Sequence, residues 1–224
     1  MMILEVMRAI DAAGLAHRGT VQLEDDEQRE GLNARSLVLV GFSGDQGWDA
    51  FTASAEWHQG EVDALDRWSC RVIGGIAREV GAKALFPFEG PPWWPFQKWG
   101  LRAEAASASP IGILMHPKWG LWHSWRGALA FQLNLHAPEP AISVSPCETC
   151  EGAPCLTACP VHAFADAEYD VTRCLSFLEG IDGKRCMTAG CMARRACPVG
   201  IEYRHLGEQA RFHMKAFLES QRRS

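Results

Sequence analysis

Eight of the nine cysteines in this chain lie within one short stretch, between Cys147 and Cys197. The first four follow the pattern C-x2-C-x4-C-x3-C-P over Cys147–Pro160. Cys174 comes next, and the last three follow the pattern C-x4-C-x5-C-P, which ends at Pro198. Thiolates spaced in this way are typical ligands of iron–sulfur clusters. The pattern therefore predicts two [4Fe–4S] clusters and a role in electron transfer.

A four-iron cluster needs four thiolates that converge from different directions, and a short loop supplies three before crowding excludes the fourth. Bacterial ferredoxins solve this with a C-x2-C-x2-C-x3-C-P run whose last cysteine binds the other cluster. Pro160 and Pro198 each lack an N–H and fix φ, which turns the chain away after a ligand. The predicted ligands are Cys147, Cys150, Cys155 and Cys197 for the first cluster, and Cys159, Cys174, Cys186 and Cys191 for the second.

Two other uses of these cysteines stay open. Disulfides persist in oxidising compartments, but charged residues inside Met1–Leu15 are unlike the apolar core of a signal peptide, so we expect a cytoplasmic protein. Zinc also accepts four thiolates, although its sites usually pair short C-x2-C knuckles, which neither run resembles. The ninth cysteine, Cys70, is expected to be a small buried hydrophobe in a helix.

Composition divides the 224 residues into two parts. All nine tryptophans lie between Trp48 and Trp125, ahead of the cysteine-rich stretch, which predicts a body over residues 1–140 and a cluster module over 141–224. The net charge of −5 and the lack of a long basic run predict no nucleic-acid partner. No apolar run reaches the roughly 20 residues that span a bilayer, so no membrane association is expected.

The elements that must position these residues follow from apolar periodicity. Helices are predicted over residues 2–13 and Val62–Val80, and the continuously apolar Ser36–Phe42 predicts a buried strand in the middle of a sheet. The other predicted elements are strands at Lys83–Phe88, Ile111–Met115 and Ala128–Leu133, a shaped loop at Gly90–Pro95, and a C-terminal helix from about Tyr203. Together they predict an α/β (α+β) sandwich body on one mixed sheet, followed by a bacterial-ferredoxin-like two-cluster module.

The cysteine module, with Arg173–Leu178 (RCLSFL), resembles the ferredoxin-like part of epoxyqueuosine reductases and the related reductive dehalogenases. Upstream, Gly100–Trp122, which closes with ILMHPKWGLW, is similar to the stretch that precedes their clusters. In those families an α/β domain holds a cobalamin above a substrate pocket, and the nearer cluster reduces the cobalt. The resemblance implies the same layout here, with Glu89 of F-E-G-P as a proton donor. A surface glutamate beside a turn is the alternative reading of Glu89.

The resemblance also implies residues that hold the cofactor. Tryptophans in two irregular segments would suit the walls around a flat macrocycle, although packing in the core is the usual fate of such side chains. The candidate cobalamin-binding residues are Trp93, Trp94, His116, Trp119 and Trp122. Near the cysteines, Arg185, Arg194 and Arg195 either raise a cluster's reduction potential, dock an acidic electron donor, or are merely solvated.

Two functions follow as hypotheses. The first is an iron–sulfur oxidoreductase, fed by a ferredoxin, a flavodoxin or a reductase, that reduces a corrinoid or a small-molecule substrate in the body. The second is a non-catalytic ferredoxin-type carrier or corrinoid-handling protein with the same clusters. The cysteine spacings are longer than those of the full-length reductases. We also expect a shorter body and no helical tRNA-binding extension, so that an epoxyqueuosine substrate is not expected.

Overall fold

The chain folds into two units. The structure is a computed structural model that describes residues 3–29, 31–135, 144–164 and 168–223. The first unit consists of Met1–Ala105 and His123–Ile142, and the second of Ala106–Trp122 and Ser143–Ser224. The domain boundary predicted near residue 140 lies outside the described residues. Residues 106–122 were predicted to belong to the body because they contain tryptophans. The structure groups them with the cysteine-rich residues instead.

A four-stranded sheet forms the centre of the described part of the first unit. Its strands, in the spatial order β1-β2-β4-β3, are β1 (Ala16–Gln22), β2 (Ser36–Ser43), β3 (Lys83–Leu85) and β4 (His123–Phe131). Every pair of neighbours is antiparallel, so the predicted mixed sheet was wrong. Strand β2 lies inside the sheet as predicted, and all of its residues are buried.

Helices cover this sheet and explain why β2 is apolar on both faces. They are α1 (Ile3–Ala12), α2 (Trp48–Thr52), α3 (Ala55–Gln59), α4 (Ala64–Val80) and α5 (Phe96–Ala103). On one face Leu37 and Leu39 join a core with Trp99 of α5. On the other face, the Phe42 ring lies 5.8 Å from that of Trp68 in α4. The predictions of α1 and α4 are confirmed.

Several other predicted elements differ from the structure. Strand β3 covers only half of the predicted Lys83–Phe88, and β4 begins upstream of the predicted Ala128–Leu133. The predicted strand Ile111–Met115 was wrong: Met115 makes a single bridge to Ser107. Cys70 was expected to be buried but is exposed, because it lies on the outer face of α4.

The described part of the second unit is helical. Its helices are α6 (Pro154–Thr157), α7 (Val171–Glu179), α8 (Lys184–Ala189), α9 (Met192–Ala196) and α10 (Gly207–Arg223). The C-terminal helix therefore starts a few residues after the predicted Tyr203, which lies in a 3-10 turn, Ile201–Tyr203. Among the described residues, no helix is both long enough and apolar enough to cross a membrane.

The buried side chain of Arg18 connects β1 to other parts of the first unit by hydrogen bonds. The Arg18 guanidinium is fully buried and donates two hydrogen bonds of 2.6 Å, from Nε and NH2, to the carboxylate of Glu104. Its NH1 group donates to the carbonyl oxygen of Phe42 at 2.6 Å, and its NH2 group lies 2.9 Å from Nδ1 of His123. Arg18 therefore fixes the residue that follows α5 and the residue that opens β4.

Gly19 allows β1 to approach the end of α5, and its replacement by alanine should lower the free energy of unfolding. Gly19 has φ +85°, and a Cβ there would lie 2.4 Å from the Ala103 carbonyl oxygen. Gly31 has a similar φ of +76° but open space around it. Because only Gly19→Ala adds a clash with backbone, it should lower the free energy of unfolding by about 1–3 kcal/mol more than the control Gly31→Ala. Anaerobic thermal melting of both variants measures this difference, and equal melting temperatures would contradict it.

Candidate metal centre

Four of the eight clustered cysteines surround one cavity in the second unit. The space in it that a water-sized sphere can occupy is about 30 Å³. The thiol groups that line it belong to Cys147, Cys150, Cys155 and Cys197. Apolar side chains from the tract 106–122, namely Ile111, Met115 and Leu121, line it as well. This shared wall is the physical reason that the tract is grouped with the cysteine-rich residues.

Local backbone features bring these four cysteines together. The N–H of Cys150 bonds back to the Cys147 carbonyl at 3.4 Å, which closes the C-x2-C turn. Ala153 then adopts a left-handed conformation with φ 37°, and Pro154 begins α6, which carries Cys155. Cys197 joins them from a distant part of the chain, where it directly follows α9.

The other four cysteines form a second group. Burial raises the pKa of the Cys174 thiol, and the neighbouring Cys159 and Cys186 raise it further. Burial also raises the pKa of Cys191, again with contributions from Cys186 and Cys174. Cys174 lies in α7, Cys186 in α8, and Cys191 directly before α9. The eight cysteines thus fall into two groups, one around the cavity and one among α7, α8 and α9; their service as iron ligands, and which cluster each would bind, stays a prediction.

A backbone N–H group points at one of these sulfur atoms, since the Ala163 nitrogen lies 3.4 Å from Sγ of Cys159. Burial raises the pKa of the Cys197 thiol, and the Val199 N–H partly offsets this. Burial also raises the pKa of Cys186, and the Met192 N–H partly offsets it. A buried thiol loses its proton when a metal binds, and the N–H donors then stabilise the thiolate. The donor set therefore fits a thiolate-bound metal group.

The spacing of the sulfur atoms bears on which metal group would fit. Zinc holds thiolates at about 2.3 Å in a tetrahedron, so its sulfur ligands lie about 3.8 Å apart. Among the described residues, no three cysteines have sulfur atoms within 4.8 Å of one another; the group that meets this distance is Glu24, Asp26 and Glu27. Around a four-iron cluster the sulfurs are further apart, because two iron atoms stand between any pair.

The predicted proton donor, Glu89, lies in a turn of the first unit. Its side chain is exposed, and Oε2 accepts a hydrogen bond from the Phe86 N–H at 3.0 Å. Burial raises the pKa of the nearby Cys70 thiol, and the charge of Glu89 raises it further. The carboxylate thus stabilises its own turn and faces solvent.

The Gly90–Pro95 segment is a loop, as predicted, and holds two of the candidate cofactor residues. Trp93 is 58% exposed, whereas Trp94 packs against the core beside Trp99, with ring centroids 5.9 Å apart. The Arg29 guanidinium lies 3.9 Å from the Trp94 ring centroid and bonds to the carbonyl oxygens of Pro92 and Trp93. Of these two rings, that of Trp93 is the more exposed.

The other three candidates lie in the second unit. His116 stacks on Trp119 at 3.9 Å, and its Nδ1 accepts the Lys118 N–H at 3.1 Å. Trp122 is only 2% exposed, since the Arg194 guanidinium lies 4.4 Å from its ring centroid and His205 contacts its edge. These contacts give Trp122 a packing role.

Two residues stand close to the second cysteine group. Arg194 donates from Nε and NH2 to the Leu121 carbonyl at 3.1 and 2.5 Å. Burial lowers the pKa of Arg194 to about 10, and the group still carries its charge at neutral pH beside Cys191. Sequence reasoning identified Arg194 but missed Tyr169, whose hydroxyl partly offsets the burial that raises the pKa of the Cys174 thiol. Its position five residues before a predicted ligand was the available signal.

These features define an α+β protein with an antiparallel sheet and a helical unit that gathers two groups of four cysteines. Its fold is similar to that in a crystal structure of epoxyqueuosine reductase with an epoxyqueuosine-modified tRNA-Tyr stem loop. The TM-score is 0.53 at 14% sequence identity, and the match covers 93% of this chain and 68% of the other. At this identity the likeness concerns the fold alone. No protein-family model matches the chain, and no curated protein does.

Proposed function

We propose that this chain is an iron–sulfur electron-transfer protein with one [4Fe–4S] cluster on each group of four cysteines. The observation that carries the proposal is the gathering of eight cysteines into two groups within one unit, the first around an apolar cavity. When bound, such clusters accept and release single electrons. The chain's thiolates would hold the iron, its N–H groups would stabilise charge on the sulfurs, and the apolar wall would exclude water.

We further propose that the protein is an oxidoreductase that passes electrons from a donor protein to a corrinoid or a substrate held by the first unit. The likeness of its fold to an epoxyqueuosine reductase supports this extension. The exposed ring of Trp93 and the exposed carboxylate of Glu89, both in the first unit, are the residues available to a ligand there.

A second candidate is an electron carrier with no substrate of its own. The burial of Trp122 and the packing of Trp94 against the core favour it, because other residues of the protein already contact both rings.

The structurally similar epoxyqueuosine reductase was crystallised with a tRNA stem loop. With a net charge of −5, we expect this chain not to bind tRNA.

Titration of the reduced, iron-loaded protein with cobalamin separates the two candidates. An oxidoreductase of the proposed kind should bind the corrinoid in proportion to protein, seen as a saturable change in corrin absorbance. Trp93→Ala should weaken this binding, whereas Leu101→Ala, which removes an exposed apolar side chain from α5 of the same unit, should not. No saturable change at all would remove the corrinoid proposal and leave the carrier.

A further inference from the structure

The turn between α7 and α8 exposes an apolar side chain. Ile181 begins the 3-10 turn Ile181–Gly183 and is 86% exposed, the largest exposed fraction among the large apolar side chains that the structure describes. The turn lies tightly against the end of α7, because the Gly180 N–H bonds to the Phe177 carbonyl at 3.1 Å and a Cβ on Gly183 would lie 2.2 Å from the same oxygen. A well-supported backbone therefore presents Ile181 to solvent.

Two exposed basic residues follow this turn. Lys184 and Arg185 open α8, and neither side chain makes a salt bridge or a hydrogen bond with another residue that the structure describes. Asp182 is the acidic residue of the turn, so residues 180–186, with two basic residues and one acidic, keep a net charge of +1. These two cations are therefore available to the carboxylates of a partner. Three other exposed basic residues of the unit have acidic partners: Arg173 pairs with Asp170, Lys215 with Glu219, and Arg222 with Glu179.

Positive charge is concentrated on α8 and α10, which pack against each other. Together these helices carry six lysine or arginine residues and two glutamates, although the whole chain has a net charge of −5. Arg222, near the end of α10, bonds to Glu179, which precedes Ile181 by two residues, so this part of α10 lies beside the turn. The cysteine run 147–159, in contrast, contains two acidic residues and no basic one. The charges thus distinguish the surroundings of the two cysteine groups.

The exposed cations lie next to a cysteine of the second group. Cys186 directly follows Arg185 in α8, and it is only 6% exposed. The Cα atoms of neighbouring residues are about 3.8 Å apart, so a protein that contacts Arg185 comes close to the metal group that Cys186 would hold. Electron transfer between two proteins requires that their redox centres come close together. One short helix thus carries both a contact surface and a predicted ligand.

We propose that an acidic one-electron donor protein docks on the surface formed by Ile181, Lys184 and Arg185, which we call the α8 surface, and delivers electrons to the cluster on the second cysteine group. This inference rests on the proposed function. Carboxylates of the donor pair with the two cations, and an apolar side chain of the donor covers Ile181. In each transfer the donor is oxidised by one electron and the cluster is reduced by one, with no covalent bond formed between the proteins.

A double charge reversal tests the α8 surface in the oxidised, iron-loaded protein, with a flavodoxin as the acidic probe. At low salt, calorimetry should detect binding to the wild-type protein that weakens as added salt screens the charges. Lys184→Glu combined with Arg185→Glu should raise the dissociation constant about tenfold or more. The control, Arg8→Glu combined with Arg78→Glu, changes the net charge equally at exposed positions of α1 and α4 and should bind like the wild type. No binding by the wild type, or equal dissociation constants in the two double variants, would overturn the proposal.

The same variants separate docking from the cluster itself. Acidic residues are favourable in the first turn of a helix, so the protein with a reversed α8 surface should fold and keep the iron content of the wild type. Dithionite should reduce it at the wild-type rate, whereas reduction by the reduced flavodoxin should be slower by about tenfold. An unchanged rate with flavodoxin would contradict the proposal. A wild-type protein that holds no iron would refute the proposed function instead, which iron analysis reveals independently of binding.

Cross-linking of the wild-type complex keeps the test decisive if the charge-reversed variant loses iron. A carbodiimide joins a lysine amine to a nearby carboxylate as an amide and takes up the water that is lost. Mass spectrometry should find flavodoxin attached at Lys184, and Lys184→Arg should abolish this product while binding remains. Attachment at Lys83 or Lys98 of the first unit instead would overturn the proposal. A dimer of the free protein in sedimentation that Ile181→Ser removes would assign the α8 surface to a second copy of this chain and would overturn it as well.

Discussion

Replacing Cys174 with serine should remove one cluster and leave the other. A serine oxygen is a poor substitute for the thiolate, and a four-iron cluster that loses one protein ligand loses its hold on the chain. We expect iron to fall from about eight to about four atoms per chain, together with one of two EPR signals. Cys70→Ser is the matched control, since Cys70 is exposed on α4 and outside both groups, and it should keep both signals.

A second variant, in the first cysteine group, also tests which cysteines belong to which cluster. Cys197 lies near Cys191 in the chain but lines the cavity of the first group with Cys147. Cys197→Ser should therefore remove the signal that Cys174→Ser retains. If both variants lost the same signal, the assignment of ligands to the two groups would be wrong, even if the iron content supported two clusters.

The second large effect is expected at the buried ion pair of the first unit. Arg18→Met leaves the Glu104 carboxylate in a site that is only 8% exposed, without its counter-charge. Breaking a buried pair in this way should lower the free energy of unfolding by about 3–5 kcal/mol. Lys98→Met is the control, because Lys98 and Glu24 are about half exposed and water screens the attraction between them.

Native-state hydrogen exchange of the amides in β2 and β4 measures this loss without unfolding the cluster-bearing unit. Protection should fall steeply in Arg18→Met and hardly at all in Lys98→Met. The double variant Arg18→Met with Glu104→Leu should recover part of the loss, because no unpaired charge remains. Equal protection in Arg18→Met and Lys98→Met would show that the pair does not hold the sheet together.

The elements that the sequence predicted correctly carry local, one-dimensional signals. Strand β2 is a continuous apolar run, and α4 repeats its apolar residues at helical spacing and ends at Gly81 with φ 67°. Strand β1 was missed because its sequence, AHRGTVQ, contains a charge and a glycine. Its place in the sheet depends on partners far away, above all the contact of Arg18 with Glu104. The antiparallel direction of the sheet is likewise set by tertiary contacts.

The candidate site, too, was predictable only where the signal lies in the local sequence. The set of eight cysteines stands out from the spacing alone, whereas their assignment to two clusters stays a prediction. Tyr169 could not be identified in this way, since the position of its ring depends on stacking with Phe164 and Phe217. The roles of the tryptophans depended on burial, which composition does not reveal: Trp93 is exposed and Trp122 is not.

The central claim is that eight cysteines hold two four-iron clusters, and metal analysis tests it most directly. The chain should be purified anaerobically and its iron, acid-labile sulfide, zinc and cobalt measured per mole of protein. The account predicts about eight irons and about eight sulfides per chain, with zinc well below one equivalent. Cobalt at one equivalent would add support for the corrinoid proposal. Zinc at about two equivalents with little iron or sulfide would contradict the account.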